Sequence, residues 1–167
     1  ADFTGDSLVD VILGYHAIGV LAVEKGDGKG NLTPLSQNVF SDEDRRLNPD
    51  DASWSLPHVH NMAYGDLDGD NRLDLVLAVG GASRLKPGRV VIARNEGQGR
   101  FTRMTEYSTP SEAKGVRFAD MDRDGTLDVL YTARGSGYEN DLTVGLLYIR
   151  RGHGTWKFGP AIESPAG

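Results

Sequence analysis

The chain has no cysteine. Disulfides, thiolate zinc sites and thiol nucleophiles are therefore excluded, although the lack of disulfides does not fix the compartment. It has no apolar run long enough to span a membrane as a helix. It also lacks a basic excess: 18 Lys and Arg stand against 24 Asp and Glu, for a net charge of −6. A nucleic-acid-binding surface needs a basic stripe, so that class is disfavoured. No signal peptide is recognisable, and Ala1-Asp2 is already inside a repeat, so any leader is expected upstream. What is present is 167 residues, enough for one domain with a real core. Twenty-two glycines and short apolar runs point to an all-β protein with many tight turns.

The acidity is concentrated. Asp66, Asp68, Asp70 and Asp74 occupy positions 1, 3, 5 and 9 of a nine-residue window. Asp120, Asp122, Asp124 and Asp128 repeat that spacing. A weaker copy runs from Asp2 through Thr4 and Asp6 to Asp10. Eleven of the 24 acidic residues fall inside these windows, which favours a bound cation over a generally repelling surface. A hard divalent cation takes many oxygens, six to eight for Ca²⁺, and alternating carboxylates in a tight loop can turn onto one point. Gly69, Asn71 and Gly125 help such a loop reverse. The position-7 carbonyls of Leu8, Arg72 and Thr126 are expected as backbone ligands, and the position-9 aspartate as a bidentate one. Thr4 brings no charge, so the first site is expected to be the weakest. An EF-hand is excluded: it needs Glu at position 12 and flanking helices, whereas Leu13, Leu77 and Tyr131 stand there, inside strand-like runs. Ca²⁺ suits so many carboxylates better than Mg²⁺ does.

Each window leads into a short apolar stretch, at residues 9–14, 73–80 and 127–133, read as a buried strand. A second strand is expected over 19–24, 89–94 and 143–150. A glycine turn follows, with Gly28-Lys29-Gly30-Asn31-Leu32 set against Gly97-Gln98-Gly99-Arg100-Phe101 and Gly152-His153-Gly154-Thr155-Trp156. A further strand is expected near 32–35, 101–107 and 156–162, with Leu32, Phe101 and Trp156 anchoring it in the core. The strand before the window is visible at 60–65 and 115–119 but not before Asp2, so the first unit lacks its opening strand. The whole is one segment, 1–167, of three units at about 1–56, 57–111 and 112–167. The first is lengthened by a polar insertion loop at 36–57 that contains Trp54.

Other features carry less. His58 and His60 would share one strand face, without further ligands for a transition metal. His16 and His153 are expected at the surface. Trp54 could stack on a sugar or pin its own loop; Tyr15, Tyr107 and Tyr138 pose the same choice. Asn31-Leu32-Thr33 is a glycosylation sequon by pattern, weakened by Pro34 and a core-directed Leu32. Arg134-Gly135-Ser136-Gly137 neither opens a helix nor holds a lysine, which argues against a phosphate site. No nucleophile–base set stands out.

The Asp-x-Asp-x-Asp-Gly-x-x-Asp pattern around 66–74 and 120–128 resembles the FG-GAP/VCBS repeat. Phe118-Ala119-Asp120, Asn95-Glu96-Gly97-Gln98-Gly99-Arg100-Phe101 and Phe158-Gly159-Pro160 extend the resemblance over nearly the whole chain apart from 36–57. It implies calcium-binding β-propeller blades, like those of integrin α-chain heads, bacterial surface proteins and fungal lectins, with about three Ca²⁺ ions. Such rings resemble closures of about seven blades. Three blades leave two apolar faces, so other copies or further sequence are expected to complete the ring. The resemblance implies a non-catalytic, lectin-like recognition or adhesion module at the cell surface or secreted, with carbohydrate or protein as ligand. The alternatives are an accessory part of a larger secreted enzyme, of polysaccharide lyase or phospholipase type, and a structural subunit of a surface assembly.

Overall fold

The computed structural model describes residues 1–14, 20–39, 59–80, 87–134 and 145–165. These residues form eleven strands and no helix. Accordingly, no helix among them is long and apolar enough to cross a membrane. The strands are β1 (Val11–Gly14), β2 (Val20–Gly26), β3 (Leu32–Val39), β4 (Val59–Gly65), β5 (Asp74–Val79), β6 (Arg89–Gly97), β7 (Arg100–Ser108), β8 (Ala113–Ala119), β9 (Asp128–Arg134), β10 (Gly145–Arg150) and β11 (Ile162–Pro165). They make three antiparallel meanders: β1-β2-β3, β4-β5-β6-β7 and β8-β9-β10-β11. The first sheet is one strand short, as the missing opening strand of the sequence implied. The sheets are consistent with propeller blades, and they do not close into a ring.

The middle sheet is covered on both faces, and its sequence says so. Alternate residues of a strand point to opposite faces. Leu75, Leu77 and Val79 of β5 join Leu21 and Val23 of β2 in one core. Val76 and Ala78, between them, join Val129, Tyr131, Ala133, Leu146 and Tyr148 of the third sheet in another. Residues Val90 and Ile92 of β6 likewise face the third sheet, and Val91 and Ala93 the first. That double burial makes β5 a continuous apolar run where a one-sided strand would alternate. Leu75 and Leu77 are fully buried and each contributes about 1.5–3 kcal/mol.

Polar side chains stitch the seams. Asn38 donates Nδ2–H to the Gly99 carbonyl (3.0 Å) and accepts from the Phe101 N–H (2.9 Å), tying β3 to the next sheet. Asn61 accepts from Arg117 Nη1 at 2.9 Å, between β4 and β8.

Three expectations need correction. Residues 36–39, assigned to the insertion, are strand paired to residues 20–23 of β2; residues 40–58 lie outside the described set. The third glycine turn is displaced by two residues. The Gly152–Phe158 bridge is the counterpart of the Gly26–Leu32 and Asn95–Phe101 pairs, so Gly154 matches Gly28 and Gly97. Phe158, not Trp156, therefore matches Phe101, and Trp156 takes the left-handed position held by Gly30 and Gly99, with φ of 66° against 96° and 71°. For that reason the final strand begins at Ile162 and not at 156. It pairs with β10, so it closes the third sheet and does not open another. Finally, Leu32 is no core anchor; it is 49% exposed, whereas Phe101 is buried.

Candidate metal centres

Each window is a loop at the same junction of its sheet. Residues 66–73 join β4 to β5, residues 120–127 join β8 to β9, and residues 1–10 lead into β1. Their backbones repeat closely. Positions 4 and 6 are left-handed in every copy: Gly5 and Ser7, Gly69 and Asn71, Arg123 and Gly125. Glycine and Asn accept that conformation at little cost, whereas Ser7 and Arg123 are strained by about 1 kcal/mol or more.

The aspartates fold the loop around themselves. At position 1, Asp2 accepts N–H groups from Gly5 (2.7 Å) and Ser7 (2.7 Å), and Asp66 accepts from Gly69 (2.8 Å) and Asn71 (2.9 Å). Asp120 accepts from Asp124 and Gly125. At position 5, Asp6, Asp70 and Asp124 each accept the N–H of Leu8, Arg72 and Thr126, at 2.9, 2.9 and 2.7 Å. Burial pushes the Asp2 carboxyl up, but the surrounding N–H groups override it and leave it below the usual range.

Position 9 ties the loop to the second strand. Asp10 accepts from the N–H groups of Phe3, Thr4 and Gly26; Asp74 from Leu67 and Asn95; Asp128 from Met121 and Gly152. All three carboxylates are buried. Burial, with Asp68 and Asp70 nearby, pushes the Asp74 carboxyl up to about 6 despite its two N–H donors.

Oxygens converge in each window. Asp2, Asp6 and Asp10 bring carboxylate oxygens within 4.8 Å of one another; so do Asp66, Asp68 and Asp74, and Asp120, Asp122 and Asp124. These groups could hold a metal ion. They are all-oxygen and anionic, the donor set of a hard divalent cation. Thr4, at position 3 of the first window, presents a buried hydroxyl that lacks a hydrogen bond of ordinary geometry among the described residues, with Asp6 beside it. An added cation would satisfy it. Asp70 and Asp128 fall outside their groups. Asp70 is drawn onto Arg72, which donates from Nε (2.9 Å) and Nη2 (2.6 Å).

One set of residues was missed by the sequence reading. Lys25 lies 2.9 Å from Asp6, Arg94 reaches Asp68 (3.1 Å) and Asp70 (3.3 Å), and Arg151 pairs with Asp122. These are one structural position. Each immediately precedes the residue (Gly26, Asn95 or Gly152) whose N–H binds the position-9 aspartate. The signal in sequence is a basic residue three before the first turn glycine, visible only once Gly154 is aligned with Gly28 and Gly97.

The remaining candidates disperse. His60 is largely buried against Glu112 (2.5 Å), which also binds Lys114 (2.8 Å). Burial raises the Glu112 carboxyl, but Lys114 and His60 together bring it down to about 2. Tyr107 donates to the Phe158 carbonyl and lies under the Arg150 guanidinium, which is a packing role. His153 is exposed in the third turn. Trp54, Tyr15, His16, His58, Tyr138 and the loop at 135–137 lie outside the described residues.

The family model described as FG-GAP-like repeat matches residues 66–131. That span begins at the first aspartate of the second window and ends just past the third. No curated protein matches the chain.

Proposed function

Residues 66–131 match the FG-GAP-like repeat, and from that premise we propose that the chain is a Ca²⁺-binding recognition module built of propeller blades, acting outside the cell on a carbohydrate or protein ligand. The observation that carries the reading is the threefold recurrence of one oxygen-lined loop at one junction of three successive sheets. In each window the carboxylates of positions 1, 3, 5 and 9 would hold the ion: Asp2, Asp6 and Asp10 with the Thr4 hydroxyl; Asp66, Asp68, Asp70 and Asp74; Asp120, Asp122, Asp124 and Asp128. The Leu8, Arg72 and Thr126 carbonyls would complete the shells. The ion supplies charge neutralisation that holds the loop closed, and millimolar calcium suits such loops.

The repetition of the sites argues for a structural ion at each blade and not for a catalytic metal, which would be unique. An FG-GAP-like repeat is a non-catalytic type of module, and recognition would fall to the variable loops, with Trp54 the candidate contact. Glycan-array binding lost in Trp54→Ala, with folding intact, is the expected outcome; turnover of a polysaccharide by the purified chain would contradict it.

Further blades, from additional sequence or from other copies, would cover the third sheet. At position 2 of the windows, Phe3 is buried in the first seam and Leu67 packs in the second, but Met121 is 49% exposed. A shallow groove on the third sheet is lined by Arg117, Leu130, Thr132 and Leu147, together with Asn61 of β4.

A further inference from the structure

The aspartate windows are not open cages. Each already holds a positive charge from the same structural position, one residue before the N–H that anchors the position-9 carboxylate: Lys25, Arg94 and Arg151. We propose that these three side chains are resident counter-cations, so that a divalent cation enters a window by exchange with a basic side chain. The proposal rests on the calcium reading above and concerns how strongly the windows take the ion.

Geometry separates these contacts from ordinary structural salt bridges. Arg94 Nε is buried 3.1 Å from Asp68 Oδ2, yet it makes no aligned hydrogen bond to it. The attraction there is mainly charge on charge, which a doubly charged ion replaces more effectively at the same oxygens. Lys25 and Arg151 have side chains nearly half exposed, so each can swing into water without leaving a buried charge behind. These contacts hold the carboxylates spaced before any metal arrives.

A charge count puts the windows level. The second window has four aspartates against two guanidiniums, Arg72 and Arg94, leaving −2. The first has three aspartates against Lys25, again −2. The third has four aspartates against Arg151 and Arg123, the residue at its own position 4, again −2. Each window therefore keeps the charge that one divalent ion balances.

The test is calorimetric titration of the metal-stripped chain with Ca²⁺ alone, in wild type and in Arg94→Gln, Lys25→Gln and Arg151→Gln. Each variant is expected to tighten one class of site about three- to tenfold and to leave the others unchanged. Melting in EGTA is expected to move the opposite way, to lower temperature, because the metal-free window loses its counter-charge. Lys25→Gln and Arg151→Gln are the safest variants for folding, since their side chains are 45% and 44% exposed. Unchanged or weakened Ca²⁺ binding in folded Arg151→Gln and Lys25→Gln would overturn the proposal. Wild type that binds no Ca²⁺ would instead remove the calcium reading on which it rests.

Discussion

Asp10, Asp74 and Asp128 show how one side chain serves two ends of a loop. Each carboxylate takes N–H groups from its own window and from the far end of the second strand. That second contact demands a close approach of backbone. A Cβ on Gly26 would stand 2.0 Å from the Val9 carbonyl oxygen, and one on Gly152 2.3 Å from that of Leu127. Neither neighbour is a flexible side-chain tip. Gly26→Ala and Gly152→Ala are each expected to lower stability by about 2–3 kcal/mol, the upper range for overpacking. Urea unfolding followed by circular dichroism measures this; a change within about 0.5 kcal/mol of zero would contradict the close approach. At the equivalent position Asn95 is tolerated because its amide donates to the Leu73 and Phe3 carbonyls.

The titration of two buried carboxylates gives opposite pH effects. Asp74 is raised to about 6 in the folded state, so it binds its proton more readily there than in the unfolded chain. In EGTA its penalty is full above pH 6 and is relieved as pH falls toward 4. Glu112, lowered to about 2, contributes stability that is full above its unfolded value and is lost between about pH 4.5 and 2. Metal-free melting temperature is expected to rise from pH 7.5 to 5 and to fall below 4.5. Asp74→Asn is expected to flatten the first limb, and an equal rise in that variant would assign it elsewhere.

At the scale of the element, the repeating unit is a window, a hairpin and the position-2 residue that seals the next seam. Phe3 meets Phe101 and Tyr64 edge to face, with centroids 6.2 and 5.6 Å apart. Leu67 does the same work one sheet on. Met121, though equivalent in sequence, seals nothing within the described residues. Leu67→Ala is expected to cost about 2 kcal/mol or more and Met121→Ala less than about 0.5 kcal/mol in the same unfolding experiment. Equal costs would mean that the chain covers its own third sheet, for instance by self-association.

The elements also show what was readable beforehand and what was not. Strand order, the missing opening strand and the window loops follow from patterns local to a few residues: alternating aspartates, Gly69, Gly125 and the apolar runs after them. Two failures share a different cause. Trp156 aligns with Phe101 in sequence because both follow a glycine turn, yet cross-strand pairing makes Phe158 the true match. Lys25, Arg94 and Arg151 went unnoticed because their partners lie 19, 24–26 and 29 residues away along the chain. Register between strands, which brings such groups together, is set by the whole sheet and leaves no local mark.

At the scale of the molecule, three sheets stack in series and each interface has its own core, one on either face of the middle sheet. Stability in such an array is close to a sum of unit and seam contributions. The windows lie at one junction of each unit, so cation binding in one window bears first on its own sheet. Exposed apolar residues lie on the edge strands of all three sheets: Leu13 on β1, Tyr64 on β4, Met104 on β7 and Ile162 on β11.

The central claim is that the three aspartate windows are divalent-cation sites of the folded chain. Calorimetric titration of the metal-stripped protein with Ca²⁺ tests it most directly. The account predicts about three ions per chain, bound with a higher melting temperature than in EGTA. Binding of no Ca²⁺ by the folded chain, with a melting temperature indifferent to Ca²⁺ and EGTA, would contradict it.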